Sequence, residues 1–423
     1  MSLPRPTFLD RSWRAIPAVF AAVLMLTACG GGSDPAPNMQ AAANPPAAPA
    51  SAPTPAPDPT TAPAPTDPKF VVGDRLFHEP ALSASGRQSC ASCHEASRGH
   101  ADPLGTFLPL GGADGQQQGI RSTPTSRYLD AAGPFTFNDQ GQPRGGLLWD
   151  GRADTRAQQA RGPLFSAAEM ANASTADYVR RLRTTGAYGE LLRAYSLNET
   201  ASDEALLSAS LDALAQYQAR DPDYHPFTSK FDRVQAGQAS FTAAEARGLA
   251  AFNDPQRGNC ASCHDSQPRN GRAALFTDFS YHALGVPRTV STATAAPNFF
   301  DLGLCGPLRT DLSGRTELCG RFKVPTLRNV AVTGPYFHNA RFSTLEEVVS
   351  FYALRDVDPA RFYPVMSGQV QRFDDLPLAY HANVERRAPF APLPGNRARL
   401  SPQEVSDIVA FLNTLTDAPP TAP

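Results

Sequence analysis

The chain has 423 residues, and its 38 basic and 40 acidic side chains leave a formal net charge of −2 at pH 7. A charge so close to zero gives no electrostatic reason to expect a nucleic-acid partner. Residues 69–423, which follow an export segment and a linker, are long enough to form two domains rather than one.

The N-terminal segment is typical of an exported protein. Basic residues precede an apolar run over 15–28 that is too short to cross a bilayer and suits a signal peptide. The run ends Leu-Thr-Ala-Cys, which resembles a bacterial lipobox, so residues 1–29 are predicted to be a lipoprotein signal with Cys29 lipidated. An ordinary secretory signal is the alternative, and both versions predict a periplasmic protein. Residues 30–68, rich in proline and alanine, predict an extended linker between a lipid-anchored end and the folded part.

Two copies of Cys-x-x-Cys-His are the most specific motifs in the chain. They are Cys90, Cys93 and His94, and then Cys260, Cys263 and His264. This is the attachment signature of haem c, in which the cysteines bond the porphyrin and the histidine binds the iron. Zinc sites separate two such pairs by about 15–20 residues and need no histidine directly after each pair, and a dithiol has no use for it either. The sequence therefore predicts two covalently bound haem c groups, one in each of two domains over 69–235 and 236–423.

The remaining elements predict a mainly α fold of two cytochrome c-like haem domains. Apolar spacing predicts a helix over 203–220 opened by Thr200-x-x-Asp203, and three further helices. Those three open at Thr242-x-x-Glu245, Ser343-x-x-Glu346 and Ser401-Pro402-x-Glu404. Stretches 103–146 and 285–320 are rich in proline and glycine and predict long loops that wrap the haems. Cys305 and Cys319 are predicted to form a disulfide, because an exported protein lies in an oxidising compartment.

Three further segments carry a family resemblance. They are Leu-Trp-Asp-Gly-Arg-Ala at 148–153, Gly-Pro-Leu at 162–164 with Ala-Glu-Met at 168–170, and the run 323–352 that contains Pro-Tyr-Phe-His. With the two haem motifs in the same order, the chain from about 70 to 417 resembles the bacterial di-haem cytochrome c peroxidase and MauG superfamily.

The resemblance implies roles for residues around the first haem. His94 is the proximal ligand of a peroxide-reacting iron whose opposite face is open. Glu169, twenty residues after Trp149, matches the family's distal acid/base, and Gln159 matches a glutamine that orients water or peroxide. Trp149 matches the tryptophan that couples the two haems. The alternatives are a surface carboxylate for Glu169 and a core aromatic for Trp149.

The second haem departs from the peroxidases proper. Those enzymes place a methionine fourteen residues after the histidine of Pro-Tyr-Phe-His, whereas here Tyr352 lies fourteen residues after His338. MauG-like members have a tyrosine at this position, so the resemblance implies that Tyr352 caps the iron held by His264. A phenolate stabilises ferric and higher states, unlike a thioether. The alternative is a core tyrosine, with Met366 or another side chain on the iron.

Two more departures concern the first haem and calcium. Peroxidases proper cap the first iron with a loop histidine, but the matching stretch 111–114 has none, so this iron is expected to be open without prior reduction. His100 is expected to form hydrogen bonds rather than bind iron. The family also binds one calcium ion between the haems. Thr333 and Pro335 match that site, but Ser122 replaces its asparagine. His78, His225, His282 and His381 are expected to be structural or exposed.

These expectations combine into one function with two alternatives. The resemblance implies an oxidoreductase that reacts with hydrogen peroxide at the His94 haem and shares the oxidising equivalents with the His264/Tyr352 haem. The enzyme then oxidises an external electron donor, which can be another protein. The first alternative is a peroxidase that removes peroxide with electrons from a small cytochrome or copper protein. The second is a di-haem electron carrier without catalysis, against which Glu169 and Gln159 argue.

Overall fold

The computed structural model describes residues 66–105, 108–269 and 271–419. The predicted signal peptide 1–29 with Cys29, and almost all of the predicted linker 30–68, lie outside the described residues. Within them, most regular structure is helical, which confirms the mainly α class, and strands occur only as two-residue segments in four antiparallel pairs. None of the described helices combines the length and the apolarity that a membrane span requires.

The helices and strands have the following bounds. The helices are α1 Pro68–Phe77, α2 Arg156–Phe165, α3 Thr175–Leu182, α4 Ala187–Ala194, α5 Asp203–Arg220, α6 Lys230–Gln235, α7 Ala243–Asn253, α8 Leu345–Leu354 and α9 Pro402–Asn413. The strand pairs are β1 Leu110–Gly111 with β2 Gln117–Gln118, β3 Thr136–Phe137 with β4 Pro143–Arg144, β5 Tyr281–His282 with β6 Phe322–Lys323, and β7 Val365–Met366 with β8 Gln369–Val370. The stretches 103–146 and 285–320 are otherwise irregular, as predicted.

The four predicted helices are all present, and two of the predicted caps are confirmed. Thr242 caps α7 and Ser401 caps α9, each in a reciprocal capping box with the acid three residues on. The predicted bounds 203–220 are confirmed, but the predicted opening at Thr200-x-x-Asp203 is wrong, because Ser202 caps α5 by accepting a hydrogen bond from the backbone amide of Ala205. Thr200 instead donates its hydroxyl to Asn198.

The predicted cap of α8 is wrong by one residue. Thr344, not Ser343, is the N-cap, and Glu347, not Glu346, closes the box. The carboxylate of Glu347 accepts from the backbone amides of both Ser343 and Thr344, at 2.9 and 3.0 Å. A carboxylate that satisfies two otherwise unpaired amides at the helix start favours this register over the neighbouring one.

Each haem motif follows a helix that crosses a later helix at very short range. In α1, a Cβ added to Gly73 would lie 2.0 Å from the carbonyl oxygen of Ala213 in α5. In α7, a Cβ added to Gly248 would lie 1.9 Å from the carbonyl oxygen of Asp407 in α9. Only glycine allows backbones to approach so closely, so the two crossings use the same device.

Two large hydrophobic clusters accompany these crossings. The first joins buried side chains between 70 and 224, and the second joins buried side chains between 231 and 415. Phe231, which lies before the predicted boundary at 235/236, packs in the second cluster. The division into domains 69–235 and 236–423 stays a prediction.

A smaller cluster contains the last two cysteines. Cys305 and Cys319 form a disulfide bond and pack with the buried side chains of Tyr281, Leu304 and Leu318. The bond closes a loop that returns to β6, which pairs with β5. This fixes the loop against the strands that lie next to the second haem motif.

Candidate haem-binding and redox site

The first Cys-x-x-Cys-His motif forms a tight turn with both thiols free. Cys90–Ser92 is a 3₁₀ turn, and the amide of His94 donates to the carbonyl of Cys90 at 3.0 Å. The Nδ1 atom of His94 lies 2.8 Å from the carbonyl oxygen of His100, to which it can only donate. Nε2 is therefore left as the lone-pair donor that an iron ligand needs. Burial lowers the pKa of His94 to about 4, which keeps the ring neutral.

The second motif repeats this geometry. Cys260–Ser262 is a 3₁₀ turn, the amide of His264 donates to the carbonyl of Cys260 at 2.8 Å, and both thiols are free. Nδ1 of His264 donates to the carbonyl of Phe276 at 2.9 Å. Burial again lowers the pKa of the histidine. Both motifs can thus attach a porphyrin through two thiols and present a neutral imidazole to its iron.

A mostly apolar cavity opens beside the second motif. Cys260, Cys263 and His264 line it, together with Trp149 and Tyr352. A flat apolar porphyrin suits such a lining, and the free thiols and the imidazole stand where covalent attachment requires them. The residues present therefore fit a haem c at this motif.

Tyr352 lines this cavity from helix α8. Its ring stacks on Phe390 with centroids 5.1 Å apart, and it lines the cavity together with Cys260, Cys263 and His264. Burial raises the pKa of Tyr352, and charge on the thiol of Cys263 or Cys260 would raise it further. A tyrosine oxygen is one of the side-chain ligands that haem iron takes, so Tyr352 could serve as such a ligand from this cavity. Met366 is 62% exposed and does not line the cavity.

Trp149 is held in a short loop next to the same cavity. Its indole N–H donates to the carbonyl of Ser122 at 3.0 Å, and its own carbonyl accepts from the amide of Lys323 at 2.9 Å. The loop closes on itself through a bridge between Leu147 and Ala153. The indole therefore has a fixed position and lines the cavity of the second motif.

A buried ion network clamps this loop, and the sequence analysis missed it. Asp150 is fully buried and binds the guanidinium groups of Arg121 at 2.7 Å and Arg152 at 2.8 Å. Arg121 also makes two hydrogen bonds to Asp301, at 2.6 and 2.8 Å. Arg309 donates to the carbonyl of Asp150 at 2.9 Å. The only sequence signal was the Asp-Gly-Arg that follows Trp149, because the other partners come from distant parts of the chain.

Glu169 lies close to the first motif. Burial raises the pKa of the Cys90 and Cys93 thiols, and the negative charge of Glu169 raises both further. Glu169 is an exposed residue, yet desolvation of its carboxyl by the surrounding protein raises the pKa of Glu169. A hydrogen bond from Ser166 and the positive charge of Arg152 oppose this effect without cancelling it. Such a carboxyl can both accept and return a proton.

The other predicted residues near the first motif lie on α2 and on the loop at 111–114. Gln159 is half-buried on α2, which ends five residues before Met170. The amide of Gly112 donates to the carbonyl of Glu169 at 2.7 Å, so the loop packs directly beside the predicted acid/base. Asp114 lies in an exposed turn at the end of this loop and binds Gln116 and Gln117. The loop that lacks a histidine thus adjoins Glu169.

Among the other histidines, two have surroundings that the sequence did not indicate. His282 lines the second cavity, with Nε2 3.5 Å from the sulfur of Cys263 and Nδ1 3.4 Å from Glu385. His338 also lines it, stacks on Phe322 with centroids 3.5 Å apart, and has its pKa lowered to about 3 by burial. The remaining three bind nearby groups: His78 with Asp74, His225 with Asp130, and His381 with the carbonyl of Leu376.

The predicted calcium ligands fit a calcium ion poorly. The hydroxyl of Ser122 donates to the carbonyl of Phe337 at 2.8 Å. Between Thr333 and Pro335, the carbonyl of Gly334 accepts from the guanidinium of Arg98 at 3.1 Å. No carboxylate stands among the three predicted ligands and a cation lies next to two of them, whereas calcium sites gain affinity from ligand charge.

Within the part of the chain that the structure describes, no group of three His, Cys, Asp or Glu side chains could hold a metal ion. The zinc alternative for the two cysteine pairs therefore lacks a protein ligand set among these residues. A mostly helical fold with two haem-attachment turns, each with an oriented histidine, defines a di-haem c-type protein.

Comparisons with known proteins give the family. Residues 67–240 match the family model described as di-haem cytochrome c peroxidase. MauG, the methylamine utilization protein of Paracoccus denitrificans, is 36% identical over 82% of this chain and 88% of its own length. Cytochrome c peroxidase Ccp of Escherichia coli is 32% identical over 67% of this chain and 53% of its own length.

Among solved structures, the diheme peroxidase BthA from Burkholderia thailandensis has a TM-score of 0.76 and 37% identity, and the match covers 85% of this chain and 89% of that one. The chain therefore belongs to the di-haem cytochrome c peroxidase and MauG family, and it is a haem peroxidase-type oxidoreductase. Two c-type haems, hydrogen peroxide and a redox partner are what this family implies.

Proposed function

We propose that the protein carries one haem c on Cys90, Cys93 and His94 and another on Cys260 and Cys263 with His264. Each would lie in a cytochrome c-like unit, a proposal supported by the matched helix crossings at Gly73 and Gly248. We propose further that the protein is exported to the periplasm and anchored there through lipidated Cys29. Replacing Cys29 with alanine would then release the protein from the membrane fraction while both haems stay attached.

The reaction we propose is a peroxide-dependent oxidation of an external donor, as in the MauG-like members. The bound haems supply iron centres that take two oxidising equivalents from hydrogen peroxide. The observation that carries this proposal is Tyr352, which lines the mostly apolar cavity of the second motif. An anionic oxygen ligand stabilises oxidised iron, so this site would hold oxidising equivalents rather than store electrons.

The protein's own groups have distinct tasks in this reaction. Glu169 would take a proton from one oxygen of peroxide and return it to the other, which becomes water, and Gln159 would orient the peroxide. Trp149 would carry electrons between the two sites. Its hydrogen bond to Ser122 and the clamp on Asp150 support this role, since a fixed indole needs little rearrangement on electron transfer.

Two other functions remain as candidates. Peroxide removal with electrons from a small cytochrome or copper protein is favoured by the relatives named as cytochrome c peroxidases. The absence of a histidine in the loop at 111–114 argues against the reductive activation that such enzymes use. A di-haem carrier without catalysis would have no use for Glu169 beside the first motif, where its raised pKa suits proton transfer.

Peroxide added to the fully oxidised protein separates these functions. The proposed function predicts a long-lived near-infrared absorption band without prior reduction. Reaction only after partial reduction would favour the peroxide-removing alternative, and no reaction in either state would favour the carrier.

Two matched variants test the role of Tyr352 itself. Tyr352→Phe removes the hydroxyl that faces the cavity, whereas Tyr363→Phe removes a hydroxyl that donates to the carbonyl of Gly285. The first should change the absorption and EPR spectra of one haem and abolish the near-infrared band. The second should leave both spectra unchanged and lower stability by about 1 kcal/mol, the usual contribution of a hydrogen bond. Unchanged spectra in Tyr352→Phe would contradict the assignment.

A further inference from the structure

The carbonyl that orients His94 belongs to a residue in an unusual backbone conformation. The oxygen of His100 accepts from Nδ1 of His94 at 2.8 Å and from the amide of Ser126 at 3.2 Å. His100 has a φ of 53°, in the left-handed region, where histidine is found more often than most non-glycine residues but which is still unfavourable for an L residue. Contacts elsewhere in the fold must therefore hold this residue in place.

The side chain of His100 supplies that hold. It is 3% exposed, stacks on Tyr224 with ring centroids 4.1 Å apart, and places Nε2 2.8 Å from Oδ2 of Asp223. Its Nδ1 atom has no hydrogen-bond partner among the described residues. A neutral ring with its proton on Nε2 leaves only an unpaired acceptor, whereas a cationic ring would leave a buried, unpaired N–H. His100 therefore donates from Nε2 to Asp223.

Asp223 is in turn fixed from its other side. Its second carboxylate oxygen binds the guanidinium of Arg127, which also donates to the carbonyl of Ala96 at 3.3 Å. Burial works to raise the pKa of Asp223, but the hydrogen bonds from His100 and Arg127 lower it overall, so the group stays ionised. The arrangement is a chain of hydrogen bonds that runs from buried Arg127 through half-buried Asp223 to the buried His100 ring.

The second motif uses the same backbone device without this chain. The carbonyl that accepts from His264 belongs to Phe276, which also has a φ of 53°. Phe276 is fully buried, and its ring packs against Phe231, Phe252 and Phe411. An apolar side chain holds the accepting carbonyl in place at the second motif, whereas an ion-paired histidine holds it in place at the first.

From this contrast we propose that Asp223 is a positioning residue for the first haem, acting through the His100 side chain to hold the carbonyl that accepts the hydrogen bond from Nδ1–H of His94. This rests on the proposed function only in requiring a haem on the first motif. A strong hydrogen bond to Nδ1 makes a metal-bound imidazole more basic and favours oxidised iron. Loosening Asp223 should therefore weaken that bond and favour the reduced state of the first haem alone.

Asp223→Asn in the haem-loaded protein tests this inference. The iron–histidine stretching band in resonance Raman should move to lower frequency at the first haem. At a fixed applied potential, the ratio of oxidised to reduced first haem should fall by about tenfold, the lower end of the 10–100-fold losses in metal affinity or activity that follow mutation of the outer partners of metal ligands. The second haem, whose histidine donates to Phe276, is the internal reference and should not change.

Two further variants separate positioning from stability. His100→Phe keeps a buried ring at this position and removes the bond to Asp223, so it should reproduce the shift. Adding Asp223→Asn to it should give no further shift. Glu190→Gln is the matched control, because it breaks an ion pair between Glu190 and Arg75 that does not involve His94, His100 or Asp223.

The inference would be overturned if both single variants lowered the melting temperature but left the Raman band and the redox ratio of the first haem unchanged. If Asp223→Asn does not fold, an unchanged first haem in His100→Phe is by itself sufficient to overturn it. A wild-type chain without haem on Cys90 and Cys93, by mass spectrometry, would contradict both this inference and the proposed function. A haem that is present but insensitive to the variants contradicts this inference only.

Discussion

The regions around the two Cys-x-x-Cys-His motifs share a backbone plan and differ in what surrounds it. Both have a glycine-mediated helix crossing, a 3₁₀ turn with free thiols, and a histidine that donates from Nδ1 to a carbonyl of a residue with positive φ. The first region surrounds this plan with ionisable side chains, among them Glu169 and Asp223. The second surrounds it with aromatic rings and adds Tyr352.

The difference teaches that attachment and reactivity are set by separate parts of the structure. The repeated backbone plan can attach and orient a haem in either region. The groups beyond it differ: a carboxyl whose pKa is raised by desolvation lies near the first motif, and a tyrosine lines the cavity of the second. Variants that act on one region and spare the other can break or sharpen this comparison.

The largest expected effect belongs to the first region. Glu169→Gln keeps the shape of the side chain but removes its ability to transfer a proton. The rate of reaction with peroxide, followed by stopped-flow absorbance, should fall by about 10²–10⁴-fold, the usual contribution of general acid/base catalysis.

Glu190→Gln is the control for this change, because Glu190 forms an ion pair with Arg75 at 2.9 Å on the surface of the same region. It should react at the wild-type rate. Loss of a catalytic proton transfer lowers a rate by about 10²-fold or more. A Glu169→Gln protein that reacts with peroxide within about twofold of the wild-type rate would therefore contradict the acid/base role.

The shared backbone plan predicts equal costs at the two helix crossings. Gly73→Ala and Gly248→Ala both place a methyl group on a carbonyl oxygen of another helix. Each should lower the free energy of unfolding by about 3 kcal/mol, at the upper end of overpacking effects, as measured by guanidinium denaturation.

Gly162→Ala in α2 is the matched control, because an added Cβ would meet nothing within 4 Å. It should be neutral or stabilising by up to about 1 kcal/mol. A large loss at only one of the two crossings would show that the regions do not share this part of their plan.

A smaller effect concerns pH and the second region. Asp375 lines the second cavity, accepts from Asn339 at 3.1 Å, and has its pKa raised to about 7 by burial. Since the unfolded carboxyl titrates near pH 4, the folded protein retains this proton longer. Stability from this group is therefore fully present below about pH 4 and is lost as pH rises through 7.

Asp375→Asn should remove that loss, so that the variant gains stability over wild type between pH 5 and 8 in denaturant titrations. Asp139→Asn, at an exposed position, should follow the wild-type pH dependence. Parallel curves for Asp375→Asn and wild type would show that this carboxyl ionises freely in the fold.

Local sequence patterns predicted the two motifs and four of the nine described α-helices, but not every capping register. At α8 the pairs Ser343/Thr344 and Glu346/Glu347 offer two equivalent capping boxes, and only the folded backbone selects one. Helix α2 was not predicted because Gly162 and Pro163 in its last turn suggest a break.

Contacts between distant residues could not be predicted from one sequence. Arg121 is 180 residues from Asp301, and His100 is 123 residues from Asp223. Both pairs join charged or polar side chains that carry no local signature, so the ion network around Asp150 and the chain behind His94 became visible only in the fold. The residues at haem motifs were predictable because attachment chemistry fixes their spacing.

The central claim is that the first haem is open and the second is closed by Tyr352. Titration of the fully oxidised, haem-loaded protein with azide, followed by absorbance and EPR, tests it directly. The account predicts one bound azide per chain, at the His94 haem, and two in Tyr352→Ala. Two bound azides in the wild type, or none, would contradict it.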